Sequence, residues 1–288
     1  METDATPVSR HSPNNAREKG MLSGMTSIRM PRPLSEALRE IEGASSPVTG
    51  RATDYPAGWY IEPHAHSKHQ LIYAVRGVMV VRTDAGRWVV PPTRAIWVVG
   101  GMTHEIRCVG EVHMRSLLVA PEAAPRLLDE TQAVGISPLL RELIRAAMAV
   151  PQPYVPGTRD GRVMRLILDE LRALPVLPLH LQMPTDARLV RICEALQRRL
   201  DDASTMADWA GRLAVDVKTI QRLFLKETGM TFGQWRQQAR LLRALELLAT
   251  GEKVIDVALA LGYDSPSAFA TMFRRQFGQT PSQFFAEG

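Results

Sequence analysis

SPSAFATMFRRQFG, residues 265–278, repeats the plan of DVKTIQRLFLKETG, residues 216–229, at an offset of 49 residues. Each stretch opens on a residue whose side chain can cap a helix, Ser265 or Asp216. Each places apolar residues at its fifth, eighth and ninth positions: Phe269, Met272 and Phe273 in one, Ile220, Leu223 and Phe224 in the other. Each closes on glycine, Gly278 or Gly229, where a helix is expected to stop. A shorter helical pattern precedes each one, VIDVALALG (254–262) and MADWAGRL (206–213), across a turn of three or four residues. A short helix, a tight turn and a second capped helix make a helix-turn-helix. Ala210 and Ala258 are small enough to let the first helix of each pair approach the second. TFGQWRQQARLLRALELLAT (231–250) then joins the two units as one long helix.

The positions left facing outward carry recognition chemistry. Lys218, Gln221 and Arg222 in the first unit are residue types that bond guanine or adenine edges in the major groove. The second unit offers Ser265, Ser267, Ala268 and Thr271, with shorter reach, and Arg274 and Arg275, suited to phosphates. The chain carries a net charge of +5. Between residues 218 and 243 the basic residues Lys218, Arg222, Lys226, Arg236, Arg240 and Arg243 are opposed by Glu227 alone. A solvated helix face is the bland account of that run; an acidic partner such as nucleic acid is the other.

GYDSPSAFATMFRRQFGQTPSQF resembles the signature of the AraC/XylS family of transcription regulators, and TIQRLFLKETGMTFGQWRQQARLLRALELL resembles the same family's first unit and joining helix. The resemblance covers roughly residues 186–286. It implies a helical domain whose two recognition helices enter successive major grooves of double-stranded promoter DNA, about 34 Å apart. It also implies contact with RNA polymerase if the protein activates.

The N-terminal half is of another kind. VMVVRT (78–83), RWVV (87–90), AIWVV (95–99) and MRSLLVA (114–120) are short β-rich runs separated by turn residues, the pattern of a small barrel or sandwich. Trp59, Trp88 and Trp97 are expected to pack that barrel, and Cys108 to be a small core residue. Helical stripes follow at 137–150 (Leu140, Leu143, Ile144, Ala147, Met148) and 160–174 (Val163, Ile167, Leu171, Leu174). PQPYVPG between them predicts an antiparallel hairpin, packed on the barrel, serving as a homodimer face, or both. PVLPLHLQMPTD, with three prolines and no helical period, reads as an extended linker.

Within the β-rich region lies GWYIEPHAHSKHQ (58–70). Its spacing, from Gly58 through His64, His66 and Gln70 to Gly77, is similar to the first motif of the cupin superfamily, which has glutamate where this chain has Gln70. Gly101 and His104 match part of the second motif, with Val99 in place of a proline and Cys108 in place of an asparagine. Residues two apart on a strand face one side, so His64 and His66 are expected to point inward together, with His104 joining them and His69 out of phase. Three imidazoles leave positions open on a divalent metal, and Gln70 would be a weak fourth ligand through its carbonyl oxygen. The same residues could line a metal-free pocket for a small-molecule effector, or serve packing alone.

The expected fold class is α+β: an N-terminal cupin-like β-barrel with a helical hairpin, and a C-terminal all-α domain with two helix-turn-helix units. The expected segments are a disordered leader (1–30), the sensor barrel (31–120), the hairpin (121–174), the linker (175–185) and the DNA-binding domain (186–288). An apolar content of 45% and a charged content of 23% fit a globular chain. No apolar run reaches membrane-spanning length, the N-terminus lacks a secretory pattern, and the two cysteines are far apart, so a cytoplasmic setting is expected. The functional expectation is a regulator without enzymatic activity, sensing a small molecule or metal. The alternative is a metal-dependent cupin enzyme, an isomerase or dioxygenase with a helical appendage, against which Gln70 and the incomplete second motif count.

Overall fold

The computed structural model describes residues 33–286 apart from 93, 126–128 and 178. The leader expected over 1–30 lies outside the described residues. A short helix α1 (Leu34–Gly43) precedes strands β1 (Val48–Tyr55), β2 (Tyr60–His64), β3 (His69–Thr83), β4 (Gly86–Val90), β5 (Arg94–Val98), β6 (His104–Val119) and β7 (Gln132–Gly135). Helices α2 (Pro138–Ala147) and α3 (Arg159–Leu171) follow, then a two-residue strand β8 (His180–Leu181). The remainder is helical: α4 (Ala187–Arg198), α5 (Met206–Leu213), α6 (Val217–Thr228), α7 (Phe232–Ala249), α8 (Val254–Ala260), α9 (Pro266–Phe277) and α10 (Pro281–Ala286).

The barrel is built on two long strands. β3 and β6 pair antiparallel along nearly their whole length, with register shifts around Arg76. The irregularity bends both strands, so each serves two leaves. One leaf runs β1-β6-β3-β5-β7, and the other β2-β6-β3-β4-β8. The separate runs 78–83 and 114–120 of the sequence are therefore the far halves of longer strands. Turn residues in mid-strand hid this, because a bulge needs the same breakers as a turn.

The hairpin of α2 and α3 packs on the first leaf. Leu140, Ile144, Ile167 and Leu171 are buried with Leu71, Trp97 and Leu117 in one cluster. Burying each such side chain contributes roughly 1.5–3 kcal/mol. Ser137 and Thr158 cap the two helices. The other face of the hairpin leaves Leu139 and Leu166 exposed.

The segment that follows α3 lies along both leaves: Val176 and Leu177 run beside β7 of the first, and β8 forms the outer edge of the second. Leu181 and His180 pair with Arg87 and Trp88 of β4, and Leu177 N donates to Ala133 O at 2.9 Å. An edge strand needs donors on one side only, so a proline-rich stretch can occupy it. From there the apolar core runs without a break into the C-terminal helices, joining Leu181 to Leu189, Trp235 and Leu242. Trp235 Nε1 donates to Gln182 O at 2.8 Å.

In the C-terminal domain the caps read from the sequence are in place. Asp216 accepts from the backbone of Lys218 and Thr219, and Ser265 from that of Ala268. Gly229 and Gly278 end α6 and α9 in the left-handed region, at φ 68° and 77°. Ile220, Phe224, Phe269 and Phe273 are fully buried, and Ala210 and Ala258 lie beneath them. Among the described residues no helix is long and apolar enough to cross a membrane.

Candidate sensor site and DNA-binding surface

β2 ends at His64, and its register pairs His64 with His104, the first residue of β6. Their rings lie 4.2 Å apart, centre to centre. His66 stands 5.2 Å from His104 and 6.0 Å from His64. One nitrogen from each ring can be chosen so that all three fall within 4.8 Å of one another. The convergence does not come from strand alternation, as the spacing suggested. β2 stops before His66, which lies in the irregular segment between β2 and β3.

Each ring is held the same way. His64 Nδ1–H donates to Glu62 O at 2.8 Å, His66 Nδ1–H to Lys68 O at 2.8 Å, and His104 Nδ1–H to Met102 O at 3.0 Å. A carbonyl can only accept, so these contacts fix the proton on Nδ1 and leave lone pairs on Nε2. His104 Nε2 is buried and has no hydrogen-bond partner among the described residues. Burial, with His64 and His66 nearby, pushes the His104 pKa down to about 4, and burial lowers that of His64 as well. Neutral imidazoles with unspent lone pairs are what a transition metal requires.

Gln70 lies within this shell but serves the ring of His66. Its Oε1 lies 3.0 Å from His66 Nε2, and its Nε2 donates to Ser116 Oγ at 3.1 Å. Turned so that its NH2 donates to Nε2 and its oxygen accepts from the Ser116 hydroxyl, the amide satisfies both partners. Ser116 carried no signal in the sequence, because the pairing of β3 with β6 alone brings it there. His69 faces elsewhere: its Nδ1 accepts from Gly100 N at 3.0 Å and its ring stacks on Trp97. Burial pushes the Cys108 thiol up to about 12, and Cys193 is also raised by burial, so neither presents a thiolate.

On the C-terminal domain, Lys218, Gln221 and Arg222 of α6 are exposed, as are Ser267, Ala268, Thr271, Arg274 and Arg275 of α9. The Ser265 hydroxyl is engaged at the helix start, accepting from Ala268 N at 3.1 Å. The basic run of the sequence splits in two. Lys218, Arg222 and Lys226 face outward. Arg236 and Arg240 are half-buried and donate to Ser204 O at 3.0 Å and Leu200 O at 2.7 Å, while Arg243 stays exposed and pairs with Glu246 Oε2 at 3.2 Å. Glu227, the lone acid of that run, accepts from Thr185 N and Asp186 N at 2.8 and 2.9 Å and so ties the start of α4 to α6.

One further cluster joins the halves of the molecule. Glu246 of α7 is 2% exposed. It pairs with Arg87 of β4, with Arg107 of β6 at 2.7 Å and with Arg243 of its own helix at 3.2 Å. Its sequence signal was faint: a single acid among the alanines and leucines of RALELLA.

A model of an AraC-like ligand binding domain matches residues 47–211, and a model of a helix-turn-helix domain matches residues 209–287. The HTH-type transcriptional regulator NimR of Escherichia coli (strain K12) is 36% identical over 225 residues, which are 77% of this chain and 81% of NimR. The regulatory protein SoxS of the same strain is 44% identical over 66 residues, 23% of this chain and 62% of SoxS. The solved structure of ToxT from Vibrio cholerae aligns over 84% of this chain and 99% of its own at 10% identity, with a TM-score of 0.36, too low for comparing sites. These relatives are regulators, and the enzyme alternative falls away. With one family model spanning more than half of the chain and NimR matched over most of its length, this chain belongs to the AraC family of transcription regulators, with an N-terminal ligand-binding domain and a C-terminal helix-turn-helix domain that binds DNA.

Proposed function

We propose that the N-terminal domain senses through His64, His66 and His104, which take a first-row divalent transition metal, and that occupancy adjusts how the C-terminal domain meets promoter DNA. The observation that carries this reading is the shared pinning of three Nδ1–H groups by backbone carbonyls, with the buried Nε2 of His104 left unspent. Three nitrogen donors suit zinc, nickel, copper or iron better than magnesium or calcium. Gln70 positions His66, and its amide must yield for His66 Nε2 to coordinate. When bound, the metal supplies a positive charge with open positions for water or a small effector.

On the DNA side, Lys218, Gln221 and Arg222 of α6 read base edges, with Ser267, Ala268 and Thr271 of α9 making weaker discrimination and Arg274 and Arg275 holding phosphates. Ser265 orders the start of α9 beside the backbone. The exposed face of the α2–α3 hairpin, with Leu139 and Leu166, is the surface for a homodimer. The link from sensor to reader runs along β6, from His104 to Arg107 and across to Glu246.

The test is metal content of untagged full-length protein after incubation with zinc, nickel and ferrous salts and gel filtration. His64→Ala and His104→Ala are run in parallel, with operator affinity measured on each form. Stoichiometric metal lost in both variants supports the reading. Folded wild-type protein that retains no metal sinks it and leaves a metal-free effector pocket.

A further inference from the structure

A crevice of about 510 Å³ separates the second leaf of the barrel from the C-terminal helices, a volume typical of a small-molecule site. The barrel supplies Arg82 of β3, Arg87 of β4 and Arg107 of β6. The helices supply Arg198 and Arg199 at the end of α4 and Arg243 of α7. Only Glu246 and Asp201 line the same space as acids. The Glu246 carboxylate is shared by three arginines, and Asp201 sits 3.6 Å from Arg199. Arg82 and Arg198 lean on acids outside the crevice, Glu105 at 3.5 Å and Glu194 at 3.8 Å.

Counting those outer acids as well, six guanidinium charges face four carboxylates. Arg107, Arg198 and Arg199 keep 44%, 70% and 72% of their side chains exposed, so their guanidinium groups are open to a ligand. The Arg87 side chain is only 20% exposed, and its Nε is buried without a hydrogen-bond partner among the described residues. Burial first, and then Arg82 and Arg107, hold its pKa below the ordinary arginine range despite Glu246. Surplus guanidinium charge converging on one crevice from two walls suits an anion that can accept from several forks at once.

We propose that this crevice binds a small anion carrying at least two negative charges, a phosphate ester or a di- or tricarboxylate, whose oxygens accept from the guanidinium groups of Arg107, Arg198 and Arg199. Guanidinium forks match the oxygen spacing of both groups. Because the two walls belong to different domains, the anion bridges them and favours the docked arrangement; linkage then couples its binding to that of DNA. This site is separate from the three histidines, and neither reading depends on the other.

The test is calorimetric titration of the full-length protein with pyrophosphate and with citrate, in sodium chloride adjusted to constant ionic strength. Arg198→Gln/Arg199→Gln is the informative variant, since both side chains are largely exposed and neither touches Glu246. Arg222→Gln on α6 is the control. Saturable binding of one anion per chain, weakened at least tenfold in the double variant and unchanged in the control, supports the site. Pyrophosphate alone binding assigns the phosphate class, and citrate alone the carboxylate class. Binding of neither anion, equal binding by wild type and double variant, or loss in Arg222→Gln would each overturn it, the last by moving the anion to the DNA surface.

Discussion

Arg107 donates from Nη2 to Glu246 Oε2 at 2.7 Å, and Arg107 lies three residues beyond His104 on strand β6. The three clustered histidines and the helix that joins the two helix-turn-helix units are thus connected by one short piece of strand and one ion pair. The carboxylate is buried, while Arg107 is 44% exposed and Arg87 20%.

Replacing Glu246 with Gln removes the one charge that Arg87, Arg107 and Arg243 share. Breaking a fully buried pair costs about 3–5 kcal/mol, and the partial exposure of the arginines reduces this to roughly 2 kcal/mol. Thermal unfolding of E246Q is expected a few degrees below wild type. An unchanged melting temperature would show that the pair contributes nothing to docking.

Gln70→Glu restores the carboxylate of the wider cupin pattern and has opposite effects in the two metal states. Without metal it places a charge in a buried shell beside neutral imidazoles, at a cost of about 1–3 kcal/mol. With metal it adds an anionic donor and should tighten binding on the order of 10-fold or more. Melting curves with chelator and with excess zinc check both signs.

Arg222→Ala should lower affinity for the cognate operator by about 1–3 kcal/mol and relax selectivity at one base position. Arg274→Ala should weaken binding to all sequences alike and reduce the slope of log affinity against log salt by about 1. Electrophoretic mobility shifts at several salt concentrations separate the two. A sequence-selective loss in Arg274→Ala would contradict its phosphate role.

Ala214 ends α5 in the left-handed region, at φ 51° and ψ 43°, inside the first helix-turn-helix turn. That conformation costs an L-residue roughly 1–2 kcal/mol, of which the extra unfolded-state freedom of glycine cancels part. Ala214→Gly is expected to stabilise the protein by about 0.5–1 kcal/mol in urea unfolding.

His180 of β8 stacks on Trp88 at 4.5 Å, and burial holds its pKa below the ordinary histidine value of 6.5. The docked strand therefore binds fewer protons than a released one. Docking is at full strength above pH 6.5 and weakens as pH falls from there toward the lowered value. Proteolytic cleavage within 175–185 should be faster at pH 5.5 than at 7.5, and His180→Phe, which keeps the stack, should remove the difference.

The paired helix-turn-helix units were legible because they are local. Caps at Asp216 and Ser265, stops at Gly229 and Gly278 and apolar residues at helical spacing act within a dozen residues, so a linear reading reaches them. The histidine triad was legible as a set, since imidazoles are rare enough for their spacing to stand out. Its geometry was not, because His66 lies beyond the end of β2, outside the strand that alternation assumes. Gln70 lies against His66, and the amide is held there by Ser116, 46 residues away.

What the sequence determined by itself is everything set by short-range backbone preference and periodic burial: the helices, their caps, the division into a β-rich half and a helical half, and the kinds of side chain each half displays. What only the tertiary structure decided depends on strand register and domain docking. Two residues of the linker became an edge strand, Arg236 and Arg240 of the basic run turned to backbone carbonyls, and Glu246 met Arg87 and Arg107 across 159 and 139 residues. No local rule encodes such meetings. They follow from closing long loops and burying one continuous apolar core, terms that belong to the whole chain rather than to any stretch of it.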